Sequence, residues 1–535
     1  MNDKFEMVAK TFKGLEGVLA DELRTLGADD VTEGNRMVSF TGDKKMMYRA
    51  NFCLRTALRV LKPIYKFRST SADDLYEQIK LFDWDSVLDP TKTFAIDATT
   101  FGEEFSHSRF VTYRVKDAIV DYFTDKCGKR PSIRVTNPDI RLDVHISGNE
   151  VTLSLDSSGD PLYKRGWREA QTDAPINEVL AAGIIKLSGW DGECNFVDPM
   201  CGSGTFLVEA ALIAANINPG VYRESFAFQS WTDYDQEMFE EIYNDDSAER
   251  EFKYKIYGSD VNGKAIAISR ANIKRAGVAK MVELEMKDFN DITEVPEHGV
   301  LITNPPYGER LKVEDIEGLY TTIGNKLKQV FKGYSAWIIG YDRELTDKIG
   351  LKPSVRYALF NGALDCELRQ YVIFDGKYND MRGRGESIKN EGFRASDEKR
   401  AMHRREFRET FGDGERRERR ESRGHDSDRR ERRDFGGEKR DRMERGGERR
   451  EFRGHGGERR DFGEKRERRD FGDNRERRDN KPRINFGGPR LTAENDVPIV
   501  HGRRKSWKRR DVNEGDIAFN PNKATDNPAG ENKED

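Results

Sequence analysis

One short stretch of the chain has residue types that suit chemistry on an aromatic amine. The sequence NPPYG, Asn304–Gly308, follows an apolar run that predicts a strand. An exocyclic amine on a nucleobase is a poor nucleophile, because its lone pair is delocalised into the ring. The side-chain oxygen of Asn304 and the carbonyl oxygen of Pro305 can accept both N–H bonds of such an amine and push its electrons toward an electrophile. Pro305 and Pro306 restrict φ and stiffen these acceptors, and the ring of Tyr307 provides a face for stacking the base.

Acidic residues end the three predicted strands that precede this stretch. The predicted strand in NFVDP ends at Asp198, the one in KIYGSD at Asp260 and the one in VELEMKD at Asp288. The carboxyl ends of parallel strands meet at one edge of the sheet, where open α/β sheets bind ligands. Asp260 suits a ribose diol, whereas Asp288 can accept from an adenine amino group, with Phe289 beside the ring. A helix cap or turn is the alternative for each acid, so the prediction depends on all of them together.

A glycine-rich turn, Gly202-Ser203-Gly204, connects the first of these strands to a predicted helix. Glycine permits a tight turn and a close approach of backbone to ligand, and N–H groups at a helix start favour an anion. The turn matches neither the dinucleotide fingerprint nor the P-loop. Because chemistry on an amine needs no protein nucleophile, we expect Cys201 to be a small buried residue. His298 is the only histidine in the sequence between residues 160 and 380, which disfavours a histidine-based metal site there.

The elements around these residues predict an α/β fold. From residue 195, short apolar strands alternate with amphipathic helices, as in a parallel sheet covered by helices, and RYALFNG with CELRQYVIFD predicts an antiparallel pair at one side. Residues 1–45 predict a strand–helix–strand unit. Residues 46–156 mix helices and strands, with a helix across 46–61 and a closing hairpin that turns at Gly148-Asn149. Residues 218–254 form an aromatic, acidic insertion.

The C-terminal part of the chain has a different composition. Residues 381–535 carry 45 basic and 36 acidic side chains, which leaves 48 basic and 61 acidic ones before them. The segment is poor in apolar residues and predicts a disordered tail. Its cluster RRKSWKRR at 503–510 favours RNA contact, although the near balance of charges over 381–480 is equally typical of a solvated, solubilising segment. The chain start lacks a signal-peptide pattern and no apolar run could span a bilayer, so we expect a cytoplasmic protein.

Several motifs in sequence order carry a family resemblance. VDPMCGSGTFLVEAAL, YGSDVN, KDF and TNPPYGERL resemble class I S-adenosylmethionine-dependent methyltransferases that act on exocyclic amines. YKRGWREAQTDAPINEVLAAGI at 163–184 is similar to the segment that leads into the catalytic domain of large-subunit ribosomal RNA guanine-N2 methyltransferases of the K/L type. The resemblance implies a ferredoxin-like piece at 1–45, a THUMP RNA-binding domain at 46–156 and a Rossmann-like methyltransferase domain at 157–380, followed by the tail at 381–535.

The same resemblance implies residue roles. S-adenosylmethionine would be the cofactor, with its methionine side at Asp198, Gly202, Ser203 and Gly204, its ribose at Asp260 and its adenine at Asp288 and Phe289. The target guanine of 23S ribosomal RNA would lie at Asn304, Pro305, Pro306 and Tyr307. Candidates for RNA contact are Arg109, Arg114 and Lys116 on the helix HSRFVTYRVKDAIVDYF, and Arg165 and Arg168 in YKRGWR; a solvated helix face is the alternative for the first three.

Two other functions stay open at this point. NPPY also occurs in DNA adenine-N6 methyltransferases, which the THUMP-like region disfavours. A non-catalytic RNA-binding assembly factor is the other alternative, which the intact motifs at four strand ends disfavour. Some family members carry a second methyltransferase domain, but residues 381–535 have low complexity, so only the guanine-N2 activity is implied here.

Overall fold

A computed structural model describes residues 4–172, 174–307, 315–362 and 364–374 of the 535-residue chain. Gly308, the predicted tail and the cluster at 503–510 lie outside these described residues. Within them, the strands form one eight-stranded and one seven-stranded sheet. In the same part of the chain, none of the helices has both the length and the apolar character needed to cross a bilayer.

The first sheet is built from residues 5–156. Its strands are β1 (Phe5–Lys10), β2 (Asp29–Gly34), β3 (Met37–Gly42), β4 (Arg59–Arg68), β5 (Thr93–Phe101), β6 (Ser132–Ile133), β7 (Ile140–Ser147) and β8 (Glu150–Asp156). The helices between them are α1 (Glu16–Leu26), α2 (Lys44–Cys53), α3 (Ala72–Leu81) and α4 (Ser108–Cys127). The strand order is β2-β3-β1-β4-β8-β7-β5-β6, and β4 pairs with both β1 and β8. The two N-terminal domains predicted at 1–45 and 46–156 therefore share a single sheet.

The predicted helix across 46–61 is wrong in its second half. Helix α2 ends at Cys53, and β4 begins six residues later at Arg59. The backbone N–H of Leu58 donates to Lys10 O at 2.7 Å, and Val60 is the pairing partner of Ala9 in β1. Pairing with a strand that is distant in sequence thus overrides the local helical pattern. The predicted hairpin is present, with Ser147 opposite Glu150 across the two-residue turn.

The second sheet is built from residues 195–372. Its strands are β9 (Asn195–Asp198), β10 (Ile256–Asp260), β11 (Val282–Met286), β12 (Gly299–Thr303), β13 (Ser335–Gly340), β14 (Val355–Asn361) and β15 (Leu364–Val372). The helices are α5 (Glu178–Ser188), α6 (Thr205–Ala214), α7 (Gln236–Asn244), α8 (Gly263–Arg275), α9 (Ile316–Gln329) and α10 (Arg343–Asp347). The order is β11-β10-β9-β12-β13-β15-β14; the first five strands are parallel and β15 is antiparallel to both neighbours.

The topology of this sheet determines where a ligand can bind. Strand β9 has β10 on one side and β12 on the other, so the connections run in opposite directions from β9. A crevice opens at such a switch point, outside the carboxyl ends of the strands. Asp198 ends β9, Asp260 ends β10, and Asn304 follows β12 directly. The alternation of strand and helix therefore brings three of the predicted residues to this point.

The insertion at 218–254 connects the methyltransferase-like sheet to the N-terminal region. It contains α7 and two short 3-10 turns. The ring of Tyr48, on α2, lies 4.4 Å from that of Phe228 and 5.8 Å from that of Phe239, measured between centroids. The aromatic residues of the insertion thus pack against a helix of the first sheet.

Candidate active site

Asp198 lies at the centre of the edge, with 1% of its surface exposed. Oδ1 of Asp198 accepts a 2.7 Å hydrogen bond from Thr303 Oγ1 and a 3.3 Å bond from the backbone N–H of Met200. Burial raises the pKa of this carboxyl group to about 7, against the lowering effect of these two donors, and the charge of Asp260 raises it further. Thr303 is the last residue of β12 and immediately precedes Asn304. A direct bond therefore connects the start of the glycine loop to the NPPY loop.

The glycine loop has a backbone that only glycine adopts readily. Gly202 and Gly204 have φ values of +54° and +78°, in the left-handed region. A Cβ on Gly204 would come within 3.0 Å of Ser269 Oγ, whereas one on Gly202 would have Thr172 Oγ1, at 3.9 Å, as its nearest neighbour among the described residues. Gly204 therefore permits close packing on α8, and the described residues leave space beside Gly202.

The N–H groups of this loop are largely used within the protein. Gly202 N donates to Asp260 Oδ2 at 2.9 Å, Cys201 N to Ser259 O at 2.9 Å, and Gly204 N to Cys201 O at 2.8 Å. These three N–H groups hold the loop to β10 and to itself, and the binding of an anion at the start of α6 stays a prediction. Cys201 is buried as expected, and burial raises the pKa of its thiol well above the ordinary value.

Asp260 has its carboxylate between two backbone donors. Besides Gly202 N, the backbone N–H of Asn262 donates to Oδ1 at 2.8 Å. Each carboxylate oxygen has two lone pairs, so one acceptor site per oxygen remains after these bonds. The side chain is partly exposed. Such a pair of acceptors, fixed in orientation at a sheet edge, suits a vicinal diol.

Asp288 and Phe289 occupy the end of the neighbouring strand. Asp288 is half-buried, and its Oδ1 caps a short 3-10 turn by accepting from Asn290 N at 2.8 Å. Phe289 is buried in a hydrophobic cluster, with its ring parallel to that of Phe331 at 6.3 Å. The structure therefore gives Phe289 a place in the core, and its contact with an adenine ring stays a prediction.

The NPPY loop follows β12 at the same edge. Pro305 is buried, and Asn304, Pro306 and Tyr307 are half-buried. The hydroxyl of Tyr307 donates to Oδ1 of Asn304, and the hydroxyl of Tyr320 donates to Pro306 O at 3.4 Å. Burial raises the pKa of the Tyr307 phenol well above its ordinary value, so the group stays a neutral donor. Asn304 and Tyr307 thus contact each other, and Tyr320 on α9 holds the loop through its bond to Pro306.

The prediction that Arg165 contacts RNA is wrong, because the structure buries its guanidinium group. Only 2% of the side chain is exposed. Nε donates to Glu209 Oε1 at 3.4 Å, Nη1 to Leu162 O at 3.0 Å and Nη2 to Arg55 O at 2.5 Å. Glu209 lies on α6, and Arg55 belongs to the N-terminal region. Arg165 therefore joins two parts of the protein.

Arg168 also bonds within the protein, although its side chain is 17% exposed. Its guanidinium donates to Glu178 on α5 and to the hydroxyl groups of Ser203 and Thr205. All three nitrogens are used inside the protein, next to the glycine loop. Arg168 thus contacts the glycine loop of the candidate site, and its contact with RNA stays a prediction.

The other three predicted RNA contacts lie on α4. Arg109 is exposed. Arg114 forms an ion pair with Asp73 and lies 4.4 Å over the ring of Tyr76. Lys116 pairs with Asp117 at 2.5 Å. These ion pairs agree with a solvated helix face for Arg114 and Lys116, and RNA contact by the three residues stays a prediction.

Three residues of the site were not identified from the sequence: Thr303, Ser269 and Asn272. Ser269 Oγ donates to Gly202 O at 2.7 Å, and Asn272 Nδ2 donates to Ser203 O at 2.9 Å. Both are fully buried on α8. The signal in the sequence was a serine and an asparagine three residues apart on the apolar face of a predicted helix, because a buried polar side chain requires a partner.

Comparison with known proteins agrees with this architecture. Residues 6–61 match the RlmL ferredoxin-like domain, 69–156 the THUMP domain, and 165–370 the RMKL-like methyltransferase domain. The putative RNA methyltransferase slr0064 of Synechocystis sp. is 38% identical over 369 residues, which cover 68% of this chain and 96% of that protein. The ribosomal RNA large subunit methyltransferase K/L of Syntrophotalea carbinolica is 38% identical over 391 residues, 71% of this chain. The chain spans 55% of that longer relative.

A solved structure extends the likeness to three dimensions. The putative methyltransferase SMU.472, complexed with SAH, is 31% identical with a TM-score of 0.63, and the match covers 70% of this chain and all of that one. The fold and the four strand ends define a class I methyltransferase with an N-terminal THUMP region. More particularly, the chain belongs to the family of RMKL-like methyltransferases that carry ferredoxin-like and THUMP domains ahead of the catalytic domain.

Proposed function

We propose that the protein transfers a methyl group from S-adenosylmethionine to the exocyclic N2 of a guanine in 23S ribosomal RNA. The observation that carries the proposal is the 2.7 Å hydrogen bond from Thr303 to Asp198, which holds an amine-binding loop beside a glycine loop at the switch point of the sheet. The match of residues 69–156 to the THUMP domain favours RNA as the substrate. The names of the K/L relatives favour ribosomal RNA of the large subunit.

S-adenosylmethionine is the cofactor, and the residues at the edge fit its chemistry. When bound, it supplies a methyl group attached to a positively charged sulfur. Asp260 retains acceptor capacity on both oxygens, as a ribose diol requires. Asp198 provides a buried carboxyl group at the glycine loop, and the space beside Gly202 admits a ligand close to the backbone. Asp288 lies one strand further along, where we assign it to the adenine.

The chain's own contribution to the reaction is positioning. Asn304 Oδ1 and the carbonyl oxygen of Pro305 would accept the two N–H bonds of the target amine and orient its lone pair. The consecutive prolines Pro305 and Pro306 limit the motion of the loop, so the acceptors need little reorganisation. The Tyr307 ring would stack on the base, which is worth roughly 1–3 kcal/mol per base. Holding the two reactants in line supplies much of the catalysis expected of such a site.

Two other functions are outcomes of the same test. An NPPY loop serves any planar exocyclic amine, so DNA adenine-N6 methylation uses the same geometry. A protein that binds RNA without catalysis would use the THUMP region, and Asn304 would have no role in it. The N-terminal match to THUMP disfavours the first, and the complete set of strand-end residues disfavours the second.

Mass spectrometry of nucleosides from ribosomal RNA tests the proposal. A strain that lacks the protein should lose one N2-methylguanosine from its large-subunit RNA, and the wild-type protein should restore it, whereas Asn304→Ala should not. An unchanged map of ribosomal RNA modifications would contradict the proposal. Loss of N6-methyladenine from the DNA of the strain would support DNA methylation. A defect in subunit assembly that the Asn304→Ala protein restores as well as the wild type would support non-catalytic RNA binding.

A further inference from the structure

We propose that Arg168 and Asn272 are positioning residues that hold the glycine loop in the shape that binds the cofactor. The inference rests on the proposed function in one respect, namely that S-adenosylmethionine binds at Gly202–Gly204. It concerns a segment, Trp167–Ala170, that crosses the loop on its way into the catalytic domain. The two side chains fasten this segment and the loop to one another at Ser203.

Arg168 uses all three guanidinium nitrogens, two of them toward the glycine loop and the start of α6. Nε donates to Glu178 Oε1 at 2.6 Å, Nη1 to Ser203 Oγ at 3.0 Å and Nη2 to Thr205 Oγ1 at 2.8 Å. Glu178 is buried in the first turn of α5, so its carboxylate fixes the direction of the guanidinium. The planar fork then reaches the middle of the loop and the first residue of α6 together. A lysine carries a single nitrogen and cannot make these contacts at once.

Asn272 fastens the same segment from the opposite side. Its Oδ1 accepts from the backbone N–H groups of Glu169 at 2.8 Å and Ala170 at 3.3 Å. Its Nδ2 donates to Ala170 O and to Ser203 O, both at 2.9 Å. The side chain is 0% exposed, and all four bonds that an amide can make are present. Aspartate has the same shape but would direct an oxygen at two carbonyl groups.

Ser203 is the residue at which both contacts converge, through its hydroxyl group and its carbonyl oxygen. It lies between two glycines with positive φ, which have many accessible conformations when nothing restrains them. A loop that samples several conformations must be ordered when the ligand binds, and this cost appears as lost affinity. Removing the contacts should therefore weaken cofactor binding, while the amine-binding loop keeps its own geometry.

Three variants test the inference in the full-length protein. Arg168→Lys keeps the charge beside Glu178 but loses the fork, and Asn272→Asp keeps the shape but reverses two bonds. Arg275→Ala is the matched control, because Arg275 lies one turn from Asn272 on α8 and its Nε donates at 3.0 Å to Gly166 O, the residue just before the segment. Calorimetry with S-adenosylhomocysteine, thermal melting and steady-state kinetics would be measured for each.

We expect the Kd for S-adenosylhomocysteine and the KM for S-adenosylmethionine to rise about tenfold in Arg168→Lys and Asn272→Asp. The kcat at saturating cofactor and the KM for RNA should stay within about threefold of wild type. Arg275→Ala should leave all of these constants unchanged. A purely structural role would instead lower the melting temperature and kcat without changing the cofactor constants. If Asn272→Asp does not fold, Arg168→Lys alone decides.

Two results would overturn the inference. One is an unchanged cofactor Kd in Arg168→Lys; the other is a loss of RNA affinity with normal cofactor binding, which would return Arg168 to the RNA interface. Asp260→Ala separates these results from a failure of the proposed function. If that variant also binds the cofactor normally, the cofactor does not lie at this edge; if it binds weakly while Arg168→Lys does not, only the positioning role is lost.

Discussion

The hydroxyl group of Tyr307 donates a hydrogen bond to the side-chain oxygen of Asn304. The two residues proposed to hold the target base are thus bonded to one another. The acceptor proposed for the amine therefore already has one donor, and the ring of Tyr307 lies 6.2 Å from that of Tyr341, measured between centroids. An amide oxygen has two lone pairs, so the amine of a base would share Asn304 Oδ1 with the Tyr307 hydroxyl group. We therefore expect Tyr307 to act in two ways, through its hydroxyl group on this oxygen and through its ring on the base.

Substitutions at Tyr307 should separate these two effects. Tyr307→Phe keeps the ring and removes the competing donor, so we expect an unchanged kcat and a KM for RNA that is equal or up to about tenfold lower, the worth of one hydrogen bond. Tyr307→Ala also loses the stacking face, so its KM for RNA should rise roughly 5- to 150-fold. Steady-state kinetics with a ribosomal RNA fragment measures both. Equal defects in the two variants would show that the hydroxyl group, and not the ring, binds the substrate.

Asn304→Ala should abolish methylation and leave cofactor binding nearly intact. The reason is position, because Asn304 follows β12, whereas the residues proposed for the cofactor lie at the ends of β9, β10 and β11. Single-turnover methylation of ribosomal RNA and calorimetry with S-adenosylhomocysteine give the two readouts. Turnover close to the wild-type value would remove Asn304 from the mechanism.

The opposite pattern is expected for Asp260→Ala, which serves as the counterpart of the Asn304 variant. Loss of this carboxylate removes the proposed acceptors of the ribose and also the partner of Gly202 N–H. Cofactor affinity should fall by at least about tenfold, since hydrogen bonds to a charged group contribute roughly 1.5–3 kcal/mol. Saturating cofactor should recover most of kcat. An unchanged Kd would exclude the ribose role.

The strand ends of the catalytic sheet were predictable from sequence, whereas the arginines were not. Asp198 and Asp260 end short apolar strands and Asn304 follows one, so the parallel arrangement of the strands brings all three to one edge of the sheet. Arg165 and Arg168 stand in a polar segment that gives no sign of burial. Their partners, Glu209 and Glu178, come from two helices further along the chain, and only the folded structure brings them together.

The strand β4 illustrates the same limit for secondary structure. Residues 46–61 have a continuous helical pattern, but residues from Arg59 onward pair with β1, where Val60 lies opposite Ala9. Neither the existence nor the position of that strand is visible within the segment itself. Local sequence patterns thus predicted elements whose structure agrees with their own periodicity. They failed for β4, whose structure depends on pairing with a strand that is distant in sequence.

A chain that ends at Asp375 should fold and bind the cofactor, but hold RNA more weakly and with less dependence on salt. Strand β15 is complete by then, and Ile373 still bonds to Gly333 and Tyr334. The removed part lies outside the described residues and is rich in basic side chains, while residues 1–380 carry 13 more acidic than basic ones. Each lost phosphate contact should reduce the slope of log affinity against log salt by about 0.7 on single-stranded RNA.

The full-length chain with its six basic residues at 503–510 replaced by glutamine is the control for that truncation. It should reproduce most of the change in slope if the cluster RRKSWKRR makes the contacts. Identical slopes for the full-length and shortened proteins would show that the segment only aids solubility. An insoluble shortened chain would show that residues beyond 375 belong to the fold.

The carboxyl group of Asp198 should make stability depend on pH. Burial raises its folded-state pKa to about 7, above the ordinary value of 3.8. The folded protein therefore binds this proton more tightly than the unfolded chain, so the contribution to stability is complete below about pH 4 and is lost as the pH rises through about 7. The isosteric Asp198→Asn lacks the titration. The difference in unfolding free energy between wild type and variant should change by roughly 3 kcal/mol from pH 5 to pH 8, with the wild type losing stability.

Thr303→Val tests the physical cause of that pH dependence. Thr303 donates to the Asp198 carboxylate and lowers its pKa, so removing the hydroxyl group should move the pKa further upward. The loss of stability should then occur at a higher pH than in the wild type, and remain absent in the double variant with Asp198→Asn. Because Thr303 precedes Asn304, the single variant should also reduce methylation, since the NPPY loop loses its bond to the glycine loop. Denaturant unfolding from pH 4 to 9 measures the shift, and a midpoint that moves downward would mean that the hydroxyl group stabilises the protonated carboxyl group instead.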